Sequence, residues 1–174
     1  ALAQRTDWQV SRFLEQQAAG LHGVSSLSHS HGTAIYMIAS NPLSISVGID
    51  IEIILKRDFQ ALSRFFCNKE EQAWLQARHF CSNDFYLLWT LKESLLKACN
   101  LSFPADMCHV GLHIAANGSF SVRTPNRQRW HAHCLQIGSH YSACYVHNHY
   151  TSLPVTGSAF GDCQQQPIQT ISII

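Results

Sequence analysis

The chain has little charge and no long apolar run. Only 13% of its 174 residues are charged, and 12 basic residues nearly balance 11 acidic ones. This balance gives no global basic field for nucleic acid, so any recognition of phosphate must be local. No apolar run reaches the roughly 18 residues that span a bilayer, and the first five residues do not resemble a signal peptide. We therefore expect a globular protein of the reducing cytoplasm.

Several common metal and nucleophile motifs are also absent. The seven cysteines include no CxxC pair, and neither they nor the 11 histidines have zinc-finger spacing. We expect the cysteines to be reduced thiols, mostly buried. No GxSxG elbow occurs, which argues against a serine hydrolase of that type.

The order of local patterns predicts an α+β fold. We expect strands at 33–39 and 45–54, then helices at 61–66, 69–78 and 83–99, then strands at 110–114, 120–124, 130–137 and 141–146. A short helix is expected at 7–18, a polar loop at 27–32, and a partly ordered tail after Pro154. Strands followed by helices and then strands favour an antiparallel sheet with packed helices over a doubly wound parallel sheet.

Two carboxylates alternate along the second predicted strand. Asp50 and Glu52 are two residues apart, so they project from one face, while Ile49 and Ile51 project from the other. Adjacent carboxylates repel, and a divalent cation between them would relieve that repulsion. Mg²⁺ prefers such oxygen ligands together with substrate phosphates. The alternative is a half-solvated strand whose acidic face simply meets water.

The longest predicted helix carries a polar stripe. Trp89, Glu93 and Lys97 are spaced i, i+4, i+8 and therefore share one face. Glu93 could complete a cation's ligand shell or accept a proton, and Lys97 could neutralise phosphate. The alternative is an ordinary surface pair worth about 0.3–0.5 kcal/mol. The core-facing stripe is predicted to consist of leucines: Leu88, Leu91, Leu95 and Leu96.

Residues 26–30 (SLSHS) form a third candidate. Hydroxyls, backbone amides and an imidazole on one loop can hold a phosphate. A capping or turn role is the alternative.

Taken in order, SLSHS, GIDIE (48–52) and WTLKESLLK (89–97) resemble the motifs of the Sfp-like (surfactin-type) 4′-phosphopantetheinyl transferases. The resemblance implies that Mg²⁺ is ligated by Asp50, Glu52 and Glu93, with Glu93 also the general base. It implies that coenzyme A phosphates are contacted by Ser28, His29 and Lys97, with Lys92 as a further cation near the site.

The resemblance also implies an architecture. It predicts pseudo-duplicated α+β lobes with the site between them: a shortened first lobe at 1–46, a metal-binding lobe at 47–150, and a tail at 151–174. About fifty residues precede Asp50, which favours this monomeric branch over the small trimeric one. The family's basic N-terminal segment and G-K-P loop have no counterpart before His29. The candidates for the 3′-phosphate of coenzyme A are Arg5 and Arg12, since no other lysine or arginine precedes His29.

The expected function is transfer of the 4′-phosphopantetheine group from coenzyme A to a serine of an apo acyl or peptidyl carrier protein, with Mg²⁺. A docking surface for the acidic carrier is expected between the acidic motifs, at Lys56, Arg57, Arg64, Phe65 and Phe66. The alternative is a core pair of phenylalanines flanked by solvated cations. Two alternatives stay open. A degenerate lobe would bind coenzyme A or the carrier without turnover, and a Mg²⁺-dependent phosphohydrolase would release phosphate without any carrier.

Overall fold

The computed structural model describes residues 6–40, 45–126, 128–149 and 168–173. The helices are α1 (Thr6–Gln17), α2 (Phe59–Phe66), α3 (Lys69–Ala77) and α4 (Ser82–Cys99). The strands are β1 (Val24–Ser30), β2 (Thr33–Ala39), β3 (Val47–Ile53), β4 (Gly111–Ile114), β5 (Phe120–Arg123), β6 (His131–Ile137), β7 (Tyr141–His147) and β8 (Ile168–Ile173). A short 3-10 helix, Met107–His109, precedes β4.

Every described strand pair is antiparallel. The main sheet has the order β3-β7-β6-β8, and β1–β2 and β4–β5 form two separate ribbons. The prediction of an α+β fold with antiparallel sheet and packed helices is therefore confirmed. Among the described helices, none is long and apolar enough to cross a membrane.

The prediction of a polar loop at 27–32 is only partly right, whereas a partly ordered tail was expected. Residues 26–30, predicted as a loop, lie in β1, and only the turn at His31 and Gly32 is irregular. The reason is the pairing of β1 with β2, which a stretch so rich in serine does not reveal by its own propensity. Part of the tail is ordered, because 168–173 form β8 on the outer edge of β6.

The helix ends follow local chemistry in most places. The predicted cap of α3 at Asn68 is confirmed, and Asn68 forms a reciprocal capping box with Glu71. Helix α4 ends at Asn100, which has the left-handed φ of 54° typical of a helix C-terminus. The predicted cap of α4 at Asn83 or Asp84 is wrong. The cap position is Cys81, and Asp84 in the first turn instead binds Arg78 at 2.6 Å.

Helix α4 packs across β3 and β7 and forms the centre of the core. Its predicted leucine stripe is confirmed, since all four leucines are at most 3% exposed. Ser94 donates a hydrogen bond of 2.7 Å to the carbonyl of Cys144 in β7. Gly48 permits the close approach to β3, because a Cβ built there would lie 2.0 Å from the carbonyl oxygen of Ser94. The glycine thus sets the distance between the acidic strand and the helix.

We predict that Gly48→Ala lowers the free energy of unfolding by about 3 kcal/mol, because the methyl group would overlap a helix carbonyl and force β3 and α4 apart. Urea denaturation measures the loss. Gly118→Ala is the control: its added methyl meets no atom within 4 Å, and only its φ of +81° is strained. We expect a cost of about 1–2 kcal/mol there. Equal losses in the two variants would contradict the packing argument.

Candidate active site

Asp50 and Glu52 project from β3 towards α4, on one face of the strand as predicted. Their neighbours in register on β7 are Cys144 and Ser142. Ile49 and Ile51 lie on the opposite face and are 4% and 1% exposed. Asp50 itself is only 4% exposed. The carboxylate is therefore held in a largely apolar environment, where an ionised form needs specific partners.

Lys97 supplies the first of these partners. Its Nζ lies 2.8 Å from Oδ1 of Asp50 and donates a second hydrogen bond of 2.9 Å to the carbonyl of Ile49. The hydroxyl of Ser28 donates to the same Oδ1 at 2.7 Å. The other oxygen, Oδ2, is buried and has no hydrogen-bond partner within the described residues. Asp50 thus has one oxygen fully engaged and one free for a ligand.

Three serines of β1 face the acidic strand. Ser26 Oγ accepts a hydrogen bond of 3.0 Å from the amide of Ile49. Ser30 Oγ accepts one of 3.3 Å from the amide of Ile53 and donates one of 2.9 Å to Oε2 of Glu52. Ser28, which lies between these two serines, bonds to Asp50. Hydroxyls at every second position of β1 therefore join that strand to β3. We call Ser26, Ser28 and Ser30 the serine ladder.

Burial shifts the pKa of all three carboxylates of the site upward. Burial is the largest cause of the raised pKa of Asp50, outweighing Lys97 and the hydrogen bonds that lower it. Burial and the nearby charge of Asp50 raise the pKa of Glu52, against hydrogen bonds from Ser30 and Trp89 that lower it. For Glu93, burial and then Asp50 raise the pKa to about 7, although Lys97 opposes the shift.

The structure brings Asp50, Glu52, Glu93 and Lys97 together, from a strand and a later helix. Within the described ranges, no three His, Cys, Asp or Glu side chains are already arranged around a common metal position. The donor set nevertheless fits a hard divalent cation, because it consists of carboxylate oxygens and because Oδ2 of Asp50 is unpartnered within the described residues. Burial, and then the charge of Asp50, raise the pKa values of Glu52 and Glu93, so a cation there would relieve a real cost. Asp50, Glu52 and Glu93 are the residues that could hold it.

Of the predicted phosphate ligands of the first lobe, Ser28 reaches Asp50, whereas His29 and Arg12 have their described contacts elsewhere. His29 alternates with Ser28 and Ser30 and so points to the other side of β1, where its Nδ1 lies 3.9 Å from Oδ2 of Asp7 in α1. Arg12, also on α1, pairs with Glu15 and lies over the ring of Trp8. Arg5 lies outside the described residues.

The prediction of Lys92 as a cation near the site is wrong. Its ammonium is fully buried on another side of α4, 2.8 Å from Oε2 of Glu71, and it donates to the carbonyls of Met107 and Val110. Glu71 is bound in turn by Arg123 at 3.0 Å. Losing one member of such a buried group leaves an uncompensated charge, so Lys92 stabilises the fold around β4.

A cleft of about 220 Å³ opens beside Glu52 and is lined by residues that the sequence patterns did not single out as a group: Arg57, Leu62, Phe85, Tyr86 and Trp89. Tyr86 closes one wall, because its hydroxyl bonds both the amide and the carbonyl of Leu55 at 3.2 Å. The serine ladder was also missed beyond Ser28. Its polar alternation at 26, 28 and 30 has the period of a strand and was the available signal.

The expected docking residues divide into exposed and buried ones. Phe65 is 78% exposed, and Lys56, Arg57 and Arg64 are exposed as well. Phe66 is only 3% exposed and packs its ring on Phe85 and Trp89, so its prediction as a surface residue is wrong. Phe103, which was not predicted, is 59% exposed and lies 6.1 Å from the ring of Trp89.

The chain is similar to known proteins over the region that holds this site. The model of the 4′-phosphopantetheinyl transferase superfamily matches residues 46–151. A Haemophilus influenzae protein is 33% identical over 129 residues, which are 74% of this chain and 53% of that protein. Its own name as a 4′-phosphopantetheinyl transferase is provisional.

Two Bacillus subtilis proteins are similar as well. The 4′-phosphopantetheinyl transferase ffp is 31% identical over 69% of this chain and 46% of its own length. The 4′-phosphopantetheinyl transferase Sfp is 34% identical over 58% of this chain and 43% of its own length. The resemblance to the Sfp-like branch is thereby confirmed. The chain spans about half the length of these relatives.

We predict that Glu93→Gln stabilises the protein at pH 8 and not at pH 5. The pKa of Glu93 is raised from 4.5 to about 7, so between these values the folded state keeps a proton that the unfolded state has lost. The free energy of unfolding therefore falls as pH rises from 4.5 to 7, and the loss is complete above 7. The amide avoids it, and we expect a melting temperature a few degrees above that of the unsubstituted chain at pH 8.

Thermal unfolding of both proteins at pH 5 and pH 8, with a chelator present, measures this difference. Glu70→Gln is the control, because Glu70 lies on α3 and is not among the groups that shift the pKa of Glu93. A Glu93→Gln variant with the same melting-temperature offset at both pH values would contradict the predicted shift.

Proposed function

This chain belongs to the 4′-phosphopantetheinyl transferase superfamily, and we propose that it transfers the 4′-phosphopantetheine arm of coenzyme A to a serine of an apo acyl or peptidyl carrier protein, with Mg²⁺. The observation that carries the proposal is the convergence of Asp50, Glu52, Glu93 and Lys97 at one place. Relatives named as 4′-phosphopantetheinyl transferases, among them ffp and Sfp, support the class of reaction.

The metal-binding role falls to the carboxylates. Asp50, through its unpartnered Oδ2, and Glu52 and Glu93 would hold the cation. When bound, Mg²⁺ would neutralise the diphosphate of coenzyme A and stabilise the charge that develops on its oxygens. Lys97 is also a cation and its side chain is 31% exposed, so it can bind an outer phosphate oxygen while it still contacts Asp50.

Glu93 is suited to proton transfer. A pKa of about 7 lies near physiological pH, where a carboxylate is both partly ionised and basic enough to accept a proton. In the proposed step the carrier serine attacks the β-phosphate of coenzyme A, and its proton passes to Glu93 or to a water that Glu93 holds. The bond between the two phosphates breaks, and 3′,5′-adenosine bisphosphate leaves.

The site draws on both parts of the chain. We infer that 1–46 and 47–150 act as two lobes, with 1–46 as a shortened counterpart of a full first lobe. The serine ladder supports this division, because it joins β1 of the first part to β3 of the second through side chains. His29 and Arg12 lie on the outer side of β1 and on α1, where they are candidates for the adenosine 3′-phosphate rather than for the diphosphate.

The transfer is tested by incubation with coenzyme A, Mg²⁺ and a panel of apo carrier proteins, followed by intact-mass measurement. We expect the carrier to gain one phosphopantetheine group, and we expect Glu93→Gln to slow the gain at least about 100-fold, since a general base contributes that much. Glu70→Gln, on α3, is the control and should keep its rate.

Three results would count against the proposal. Binding of coenzyme A without any modified carrier would indicate a degenerate lobe. Release of phosphate without a carrier would indicate a phosphohydrolase. An unchanged rate in Glu93→Gln would remove Glu93 from the proton transfer.

We also propose that Phe65 and Phe103 bind the carrier, with Arg57 and Arg64 attracting its acidic surface. The two rings are among the most exposed apolar side chains described. Arg57 lines the cleft beside Glu52, and Phe103 packs on Trp89, which also lines it. Exposed aromatic rings next to cations are typical anchors of protein interfaces.

We expect Phe65→Ser to raise the KM for the carrier about tenfold, because aromatic anchors are the side chains whose truncation weakens an interface most. The KM for coenzyme A should not change. Steady-state kinetics with each substrate varied measures both constants. Phe120→Ser, an exposed ring on β5, is the control. Similar changes in the two variants, or a change in the KM for coenzyme A alone, would argue against docking at Phe65.

A further inference from the structure

The serine ladder joins β1 to β3 in an unusual way. The contacts advance together along both strands, from Ser26 on Ile49 to Ser30 on Glu52 and Ile53, so the two strands run in the same direction. Hydroxyls rather than carbonyls accept the hydrogen bonds from the β3 amides. A serine hydroxyl can accept and donate at once, whereas a backbone carbonyl can only accept. The ladder can therefore reach past the backbone of β3 to its carboxylates.

Ser30 shows this double use most clearly. Its oxygen accepts from the amide of Ile53, and its single proton is left to be donated to Oε2 of Glu52 at 2.9 Å. The ring Nδ1 of His31 lies 3.2 Å from the same hydroxyl and provides a further contact. The hydroxyl direction is thus restricted on two sides, and the carboxylate that it binds is restricted with it.

Ser28 has the corresponding role at Asp50. It donates to Oδ1, the oxygen that Lys97 also binds, so two donors select one oxygen. The carboxylate plane is fixed by this choice, and Oδ2 is left buried and without a partner in the described structure. Without Ser28 the carboxylate could rotate about its terminal bond, which has a broad torsional preference.

We propose that Ser28 and Ser30 are positioning residues that orient Asp50 and Glu52 for the divalent cation, without themselves contacting coenzyme A. The inference rests on the proposed function of the site. It assigns the SLSHS motif a role distinct from phosphate recognition, since two of its three inward hydroxyls are already engaged by carboxylates. Partners that orient metal ligands in this way are commonly worth 10–100-fold in metal affinity.

Ser26 provides a matched control within the ladder. It has the same residue type, strand and direction, and it accepts from a β3 amide as Ser30 does, but the contact found for its hydroxyl is with a backbone amide and not with a carboxylate. Ser26→Ala therefore removes the link between the strands alone. Ser28→Ala removes a carboxylate contact alone, and Ser30→Ala removes both.

The experiment measures binding of Mn²⁺ alone to the 174-residue chain by loss of the electron paramagnetic resonance signal of the free ion. We expect the dissociation constant to rise about tenfold in Ser28→Ala and in Ser30→Ala, and to stay within twofold in Ser26→Ala. Ser30→Thr keeps the hydroxyl and should restore most of the affinity. Amide hydrogen exchange at Ile53 should accelerate in Ser30→Ala and not in Ser28→Ala, which separates the two contacts.

Equal loss of Mn²⁺ affinity in all three alanine variants would overturn the proposal, since it would reduce the ladder to a link between strands. Unchanged affinity in Ser28→Ala would overturn it as well, and this variant decides the question should Ser30→Ala fail to fold. If the unsubstituted chain transfers phosphopantetheine while the serine variants bind Mn²⁺ normally, only this inference fails. If the unsubstituted chain neither binds Mn²⁺ nor transfers phosphopantetheine, the proposed function fails with it.

Discussion

The contact between the ammonium of Lys97 and the buried carboxylate of Asp50 is the interaction on which the site depends. An ionised carboxylate with 4% exposure is costly in an apolar environment unless a charge and hydrogen bonds compensate it. Lys97 of α4 and Ser28 of β1 both bind Oδ1 of Asp50, so they compensate this oxygen and link both elements to β3. These contacts at Asp50 therefore hold α4, β3 and the β1–β2 ribbon together.

The compensation is incomplete, and this is what gives the site its chemistry. One ammonium faces three carboxylates. Burial keeps the pKa values of Asp50, Glu52 and Glu93 above their usual range, and the charge of Asp50 adds to the shift at Glu52 and Glu93. A site with surplus negative charge, one unpartnered oxygen and a group of pKa about 7 favours a divalent cation and proton transfer. Gly48 lets α4 approach β3 closely enough for these groups to interact.

Two lysines of the same helix illustrate how strongly position decides a role. Lys92 and Lys97 are five residues apart, which places them about 140° apart around the helix. Lys97 faces the acidic strand and is partly exposed, whereas Lys92 is fully buried with Glu71 and two carbonyls. A motif that contains both lysines suggests two cations at one site, but the helical period places Lys97 beside the acidic strand and Lys92 in a buried ion pair.

The sequence by itself determined what depends on period and on local chemistry. The alternation of Asp50 and Glu52, the stripe of Trp89, Glu93 and Lys97, the leucine stripe of α4 and the cap at Asn68 all follow from spacing along the chain, because a strand and a helix repeat with known periods. The order of elements was enough to predict antiparallel α+β architecture, and the joint order of the three motifs was enough to identify the family.

Only the tertiary structure decided which groups meet. The sequence could not show that Ser28 and Ser30 bind the carboxylates 22 residues later, or that His29 faces α1, because these contacts depend on how separate elements pack. The burial of Phe66 and Lys92 and the exposure of Phe103 were hidden for the same reason. Local spacing tells which side chains share a face, but only the packing of one element on another tells what that face meets.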